Sequence, residues 1–182
     1  MNLPNKLTLM RVILVPFFIL FFYLDKLPGN YLIAFIIFAA ASITDALDGH
    51  IARKNNLITN FGKFLDPLAD KVLVMAALAC FVEKGLMSAI PLIIIIAREF
   101  MVSGLRLVTA NEGIVVAAGI WGKLKTAFTM VSIVIILVFC IAGVTDKLKL
   151  ISDILIWISA ALTIISGVVY LKGYWKYIDT DK

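Results

Sequence analysis

The sequence DALDGHIAR at residues 45–53, followed by GKFLDPLAD at residues 62–70, places four aspartates close together in an otherwise apolar chain. Asp45 and Asp48 are three residues apart, and Asp66 and Asp70 are four residues apart. Side chains at these spacings lie on the same face of a helix. The two motifs therefore predict two helices, joined by a short basic connection, that each present a pair of carboxylates.

Four carboxylates that point into one volume would repel one another, because each negative charge raises the pKa of its neighbours. The arrangement is favourable if cations lie between the carboxylates. Hard divalent ions such as Mg2+ bind oxygen ligands and commonly keep positions open for phosphate oxygens. We therefore interpret the four aspartates as a site for two metal ions that acts on phosphate groups.

The composition is that of an integral membrane protein. Of the 182 residues, 62% are hydrophobic and 16% are charged, whereas soluble domains have roughly 45–50% apolar and about 25% charged residues. The net charge of +5 comes from basic residues beside the apolar stretches, which favours contact with lipid headgroups and predicts no nucleic-acid partner. Cys80 and Cys140 each lie in an apolar run, so we expect no disulfide between them.

Apolar stretches of about 20 residues can cross the ~30 Å hydrocarbon core of a bilayer. We predict an all-α integral membrane protein with an N-terminal interfacial segment and one domain over residues 1–182. Its six transmembrane helices are expected near residues 7–24, 30–52, 64–82, 86–109, 120–143 and 149–171. Thirteen Lys and Arg residues lie nearer the side that holds both termini, and four lie nearer the other side. The positive-inside rule then places the termini and the aspartates in the cytoplasm.

Polar residues in other predicted spans raise two further questions. Asn5, Thr8 and Arg11 recur every three residues, which is consistent with an interfacial helix whose basic residues snorkel, or with a polar stripe that faces the carboxylates. Arg98 lies about twelve residues into the fourth span, roughly 18 Å from its start at 1.5 Å per residue. Snorkelling from that depth is difficult, so a polar cavity is the favoured interpretation for Arg98.

The complete pattern is D-x-x-D-G-x-x-A-R, eight residues, then G-x-x-x-D-x-x-x-D. It is the signature of the CDP-alcohol phosphotransferases, which this chain resembles over essentially its whole length. The sequences around residues 5–11, 61–71 and 97–106 are most similar to bacterial members that join CDP-diacylglycerol to sn-glycerol 3-phosphate and release CMP. The resemblance also implies the fold of this family, a homodimer, and a multi-pass location in the bacterial inner membrane.

The resemblance implies a role for individual residues. Two Mg2+ or Mn2+ ions would be held by Asp45, Asp48 and Asp66, with Asp70 sharing one ion and acting as general base. The positions that match contacts to CDP-diacylglycerol are Thr8, Arg11, Asp45, Gly49, Arg53 and Thr59. The positions that match the binding pocket for the acceptor phosphate are Arg98, Arg106 and Lys123.

Two classes of alternative remain at the level of sequence. A sibling enzyme would use another acceptor and would make cardiolipin, phosphatidylserine or phosphatidylinositol phosphate; the cluster of cations favours a phosphorylated acceptor over serine but does not identify it. A divalent-cation transporter is less favoured, because acidic residues along an ion pathway would be distributed through the membrane depth. Here the acidic residues of the spans gather near one face. A purely structural membrane protein would have no reason to keep four such carboxylates.

Overall fold

The computed structural model describes residues 3–54, 60–111, 119–144 and 147–175. Within these ranges it describes every side chain except those of residues 3–4, 45–54, 60–68, 70 and 110–111. Over these ranges the chain forms helices and no strands. The helices are α1 (Leu3–Tyr23), α2 (Asn30–Lys54), α3 (Asn60–Glu83), α4 (Ala89–Asn111), α5 (Ile120–Ile141) and α6 (Leu148–Tyr174). The all-α prediction is confirmed. The helix α1 begins at Leu3 and runs without a break into the first predicted span.

Among the residues whose side chains are described, three helices are long and apolar enough to cross a membrane: α1 from Asn5 to Tyr23, α5 from Ile120 to Ile141 and α6 from Leu148 to Tyr174. In α2, side chains are described over Asn30–Thr44, and this part of the helix is apolar. In α4, three charged residues, Arg98, Glu99 and Arg106, interrupt the apolar sequence.

The connection after α5 is built by the backbone of one glycine. Gly143 has φ +66°, a left-handed conformation that costs glycine little because it has no Cβ. The Gly143 N–H donates to the Cys140 carbonyl at 3.2 Å, and the Val144 N–H donates to the Phe139 carbonyl at 3.2 Å. These two bonds form a Schellman motif, which satisfies terminal carbonyls and ends the helix.

The contacts divide the chain into two compact units. The first unit contains residues 1–84 and 133–148, and α1 packs in it against both α2 and α3. Its core is aromatic: the rings of Phe18, Phe38 and Phe81 lie within 6.0 Å of a neighbouring ring, and Phe22 stacks on Phe18 at 5.8 Å. Aromatic pairs at these distances add stability beyond the area that they bury.

Polar contacts join the α1–α2 connection to the end of α3. Lys84 donates to Asp25 at 2.7 Å, and its Nζ lies 5.5 Å from the centre of the Tyr23 ring. The Tyr23 hydroxyl donates to Glu83 at 2.8 Å. The hydrogen bond to Asp25 raises the pKa of Lys84. Two loops that are far apart in sequence are therefore held together by charge as well as by the aromatic core.

The second unit contains residues 85–132 and 149–182. Asp153 of α6 accepts a hydrogen bond from the Ser88 backbone N–H at 3.0 Å, one residue before α4 begins. A carboxylate at a helix N-terminus satisfies an otherwise unpaired donor and interacts favourably with the helix dipole. This contact fixes the start of α4 to the first turns of α6. In the first unit, Cys80 and Cys140 are both free thiols.

Candidate functional site

The four motif aspartates lie on two helices of the first unit. Asp45 and Asp48 are in α2, and Asp66 and Asp70 are in α3. The backbone is helical at all four positions, as the spacing predicted. Their side chains lie outside those that the structure describes, so the convergence of the carboxylates on metal ions stays a prediction.

Three residues predicted to contact the lipid nucleotide also have undescribed side chains. Gly49 and Arg53 belong to α2 with their side-chain surroundings undescribed, and Thr59 lies outside the described residues. Their roles also stay predictions.

The polar stripe of α1 is buried. Asn5 is 6% exposed, and Thr8 and Arg11 are each 1% exposed. Snorkelling basic residues keep their charged groups in contact with water or headgroups, which is not the environment of Arg11. The burial favours the interpretation in which Asn5, Thr8 and Arg11 point into the protein.

Arg98 of α4 belongs to a charged cluster in the second unit. The cluster consists of Arg98, Glu99, Arg106, Lys125, Ser166 and Tyr170. Arg98 is 8% exposed, and its Nη2 donates to the Ser166 hydroxyl at 2.6 Å. Its Cζ lies 5.2 Å from the centre of the Tyr170 ring, within the range of a cation–π interaction. Gly167 gives the arginine room, because a Cβ there would lie 3.2 Å from Arg98 Cγ. Arg98 therefore faces a polar interior, as the sequence predicted, rather than lipid.

Glu99 lies between two cations. Its Oε1 accepts a hydrogen bond from Arg98 Nη1 at 3.1 Å and another from Lys125 Nζ of α5. The Glu99 side chain is 12% exposed and that of Lys125 is 10% exposed. Buried charges are tolerated when they are paired and hydrogen-bonded. The carboxylate thus compensates part of the positive charge that Arg98 and Lys125 bring into the protein interior.

Tyr170 of α6 links this cluster to the start of α5. Its hydroxyl accepts hydrogen bonds from the Gly119 backbone N–H at 2.8 Å and from Arg106 Nη2 at 3.4 Å. The Arg106 Cζ lies 5.8 Å from the ring centre, so Tyr170 contacts both arginines of α4. Gly122 permits this approach, because a Cβ there would meet the Tyr170 Oη at 3.2 Å.

The structure brings Arg98 and Arg106 of the predicted acceptor pocket to one aromatic ring. Lys123, the third predicted member, is exposed, and its role stays a prediction. Four residues of the cluster were not predicted as site residues: Glu99, Lys125, Ser166 and Tyr170. No site residue was predicted in the sixth span, but α6 supplies both the hydroxyl that accepts from Arg98 and the ring that contacts both arginines. Lys125, in a predicted membrane span, was the available signal.

Comparison with known proteins assigns the chain to a family. The CDP-alcohol phosphatidyltransferase profile matches residues 1–165. A Bacillus subtilis (strain 168) protein is 41% identical, with 99% of this chain and 98% of the relative aligned. The chain belongs to the CDP-alcohol phosphatidyltransferase family. The Bacillus relative is named CDP-diacylglycerol--glycerol-3-phosphate 3-phosphatidyltransferase.

Other relatives carry the same name. One from Rickettsia bellii (strain RML369-C) is 42% identical, with 97% of each chain aligned. One from Haemophilus influenzae is 41% identical, with 94% of this chain and 92% of the relative aligned. Membership in the CDP-alcohol phosphatidyltransferase family confirms the resemblance found from the aspartate motif and identifies the chain as an enzyme. The transporter and the purely structural protein are therefore not supported.

Proposed function

We propose that this membrane enzyme transfers the phosphatidyl group of CDP-diacylglycerol to sn-glycerol 3-phosphate, with release of CMP. The observation that carries the proposal is the identity of about 41% over nearly the whole chain to relatives that are named for this reaction. The sibling acceptors considered from the sequence have no such support among these relatives.

The charged cluster of the second unit supports a phosphorylated acceptor. Arg98 is buried, and its Nε has no hydrogen-bond partner among the described residues. A buried donor without a partner costs free energy on the order of 1–3 kcal/mol, which an anionic oxygen of the acceptor would recover. A guanidinium is also suited to phosphate, because its donors form a planar fork. We assign Arg98, Arg106 and Lys123 to the acceptor phosphate.

The carboxylates of the first unit are suited to divalent metal ions. Two helical pairs of aspartates offer only hard oxygen ligands, which is the donor set that Mg2+ and Mn2+ prefer. We propose that Asp45, Asp48 and Asp66 hold two such ions and that Asp70 shares one. When bound, the ions would neutralise the pyrophosphate and stabilise the charge that develops during transfer.

The protein residues then have distinct tasks. Asp70 accepts the proton of the acceptor hydroxyl as that oxygen attacks the phosphorus atom that carries the diacylglycerol. A new oxygen–phosphorus bond forms, the bond from this phosphorus to the bridging oxygen breaks, and CMP leaves with the electron pair. The residues proposed to hold the nucleotide lipid are Thr8, Arg11, Asp45, Gly49, Arg53 and Thr59. The burial of the α1 stripe supports the first two of these assignments.

The membrane arrangement is also part of the proposal. We propose that all six helices span the bacterial inner membrane as a homodimer, with both termini and the active site at the cytoplasmic face. The unequal distribution of Lys and Arg supports this orientation. It also suits the substrates, since the acyl chains of CDP-diacylglycerol stay in the bilayer and the nucleotide and acceptor are water-soluble.

The test is an acceptor panel with purified full-length protein. CDP-diacylglycerol and Mg2+ are supplied with sn-glycerol 3-phosphate, inositol phosphate, serine or no acceptor, and the released CMP is measured. Of the four conditions, we expect rapid CMP release only in the one that contains glycerol 3-phosphate. Equal release with another acceptor, or release that needs no acceptor, would overturn the assignment.

A further inference from the structure

Glu99 occupies an unusual position for a carboxylate in a helix of a membrane protein. Adjacent residues on a helix point about 100° apart and do not normally face each other. Arg98 and Glu99 nevertheless meet at 3.1 Å, because both side chains turn toward the same buried volume. The same Glu99 oxygen also accepts from Lys125, which arrives from another helix. One carboxylate oxygen therefore fixes two cations.

The contacts of Arg98 define the direction of its guanidinium. Nη1 is held by Glu99, Nη2 is held by Ser166 at 2.6 Å, and the ring of Tyr170 lies 5.2 Å from Cζ. Nε is buried without a partner among the described residues. The protein thus occupies both terminal nitrogens and leaves the Nε donor for something else.

We propose that Glu99 is a positioning residue that orients Arg98 for the phosphate of the acceptor. This inference rests on the proposed function and adds a residue to it. Without the carboxylate, Arg98 Nη1 would lose its charge-assisted hydrogen bond, and Glu99 would no longer offset the repulsion between Arg98 and Lys125. The guanidinium could then rotate, and its Nε would leave the orientation that the contacts with Glu99, Ser166 and Tyr170 fix.

Simple electrostatics predicts the opposite effect of Glu99→Gln on anion binding. Removing a negative charge beside a phosphate pocket makes the pocket more positive, which should strengthen anion binding. If Glu99 acts by orienting Arg98, the neutral variant should bind the anion more weakly in spite of its extra positive charge.

The experiment compares Glu99→Gln and Glu99→Asp in the full-length protein. Kinetics give KM for glycerol 3-phosphate, KM for CDP-diacylglycerol and kcat, and calorimetry gives Kd for glycerol 3-phosphate and for inorganic phosphate without turnover. For Glu99→Gln we expect both Kd values and the acceptor KM to rise about tenfold, the size of a lost charge-assisted hydrogen bond. The KM for CDP-diacylglycerol should stay within about twofold. Glu99→Asp, which keeps the charge on a shorter arm, should recover part of the loss.

Asp25→Asn is the matched control, because it removes the carboxylate of an exposed ion pair in the first unit. It should leave KM for both substrates unchanged. If Glu99→Gln does not fold because Lys125 loses the Glu99 carboxylate, the double variant Glu99→Gln/Lys125→Met removes both charges. A raised Kd for glycerol 3-phosphate in the folded double variant supports the proposal, and a wild-type Kd overturns it.

The outcomes also separate this inference from the proposed function. Wild-type protein that releases no CMP with glycerol 3-phosphate contradicts the function. Wild-type turnover with unchanged or lower Kd in Glu99→Gln contradicts only the role of Glu99. Equal increases in KM for the two substrates would also overturn it, because a purely structural residue would act on both.

Discussion

Replacing Gly167 with alanine should weaken binding of the acceptor while leaving the protein folded. An added Cβ would lie 3.2 Å from Arg98 Cγ and 3.3 Å from Met101 Cε, closer than ordinary van der Waals contact. Met101 can move its terminal methyl group. Arg98 cannot move as freely, because its guanidinium is held by Glu99, Ser166 and Tyr170.

The two effects on stability have opposite signs. Overpacking of a well-packed site costs about 1–3 kcal/mol, whereas alanine is favoured over glycine in a helix interior by about 1 kcal/mol. The net loss of stability is therefore between about zero and 2 kcal/mol. For binding, a shift that weakens one charge-assisted hydrogen bond by about 1 kcal/mol raises KM for glycerol 3-phosphate about fivefold.

The assay is CMP release at varied acceptor and saturating CDP-diacylglycerol, together with thermal unfolding. Gly173→Ala is the matched control on the same helix, because among the described residues no atom beyond its own stretch of helix lies within 4 Å of a Cβ at that position. It should leave the acceptor KM unchanged. A folded Gly167→Ala protein with the wild-type acceptor KM, or with an equal rise in the KM for CDP-diacylglycerol, would refute the reasoning about Arg98.

Three further predictions address the proposed roles. Asp70→Asn should abolish turnover and keep metal-dependent binding of CDP-diacylglycerol in a direct binding assay, whereas Asp45→Asn should impair both; equal loss of binding would exclude Asp70 as the base. Arg106→Ala should raise the acceptor KM about tenfold or more and the lipid KM much less; the reverse would misplace the pocket. Asp25 raises the pKa of Lys84. The stabilisation from this ion pair is therefore fully present below the pKa that Lys84 has in the unfolded protein, and it is lost as pH rises through the pKa that Lys84 has in the folded protein. Melting should therefore show a steeper fall at alkaline pH in wild type than in Asp25→Asn, by less than about 1 kcal/mol because Asp25 is 61% exposed; parallel pH profiles would contradict this.

The helices could be predicted from the sequence because apolar runs and their breaks mark them directly. The predicted third span begins at residue 64, but α3 begins at Asn60. The difference arises because hydropathy reports the part of a helix that suits lipid, whereas backbone hydrogen bonds continue into the polar residues that precede it. The aspartate motif likewise identified the family, since each of its residues lies within a short stretch.

The cluster around Arg98 could be predicted only in part. Arg98 and Arg106 were evident as charges in a predicted span. Their partners were not, because Ser166 is 68 residues from Arg98 and Lys125 is 26 residues from Glu99. Contacts over such distances depend on how helices pack, which periodicity and composition do not specify. Tyr170 was missed for the same reason and because an aromatic residue near a helix end is typical of any membrane protein.

The most direct test of the central claim is to identify the lipid product by mass spectrometry. Purified protein in vesicles that contain CDP-diacylglycerol is incubated with Mg2+ and sn-glycerol 3-phosphate. We predict a lipid whose mass equals that of CDP-diacylglycerol plus glycerol 3-phosphate minus CMP, formed in equal amount to the CMP released. CMP release without this lipid, or the same lipid pattern when glycerol 3-phosphate is omitted, would contradict the account.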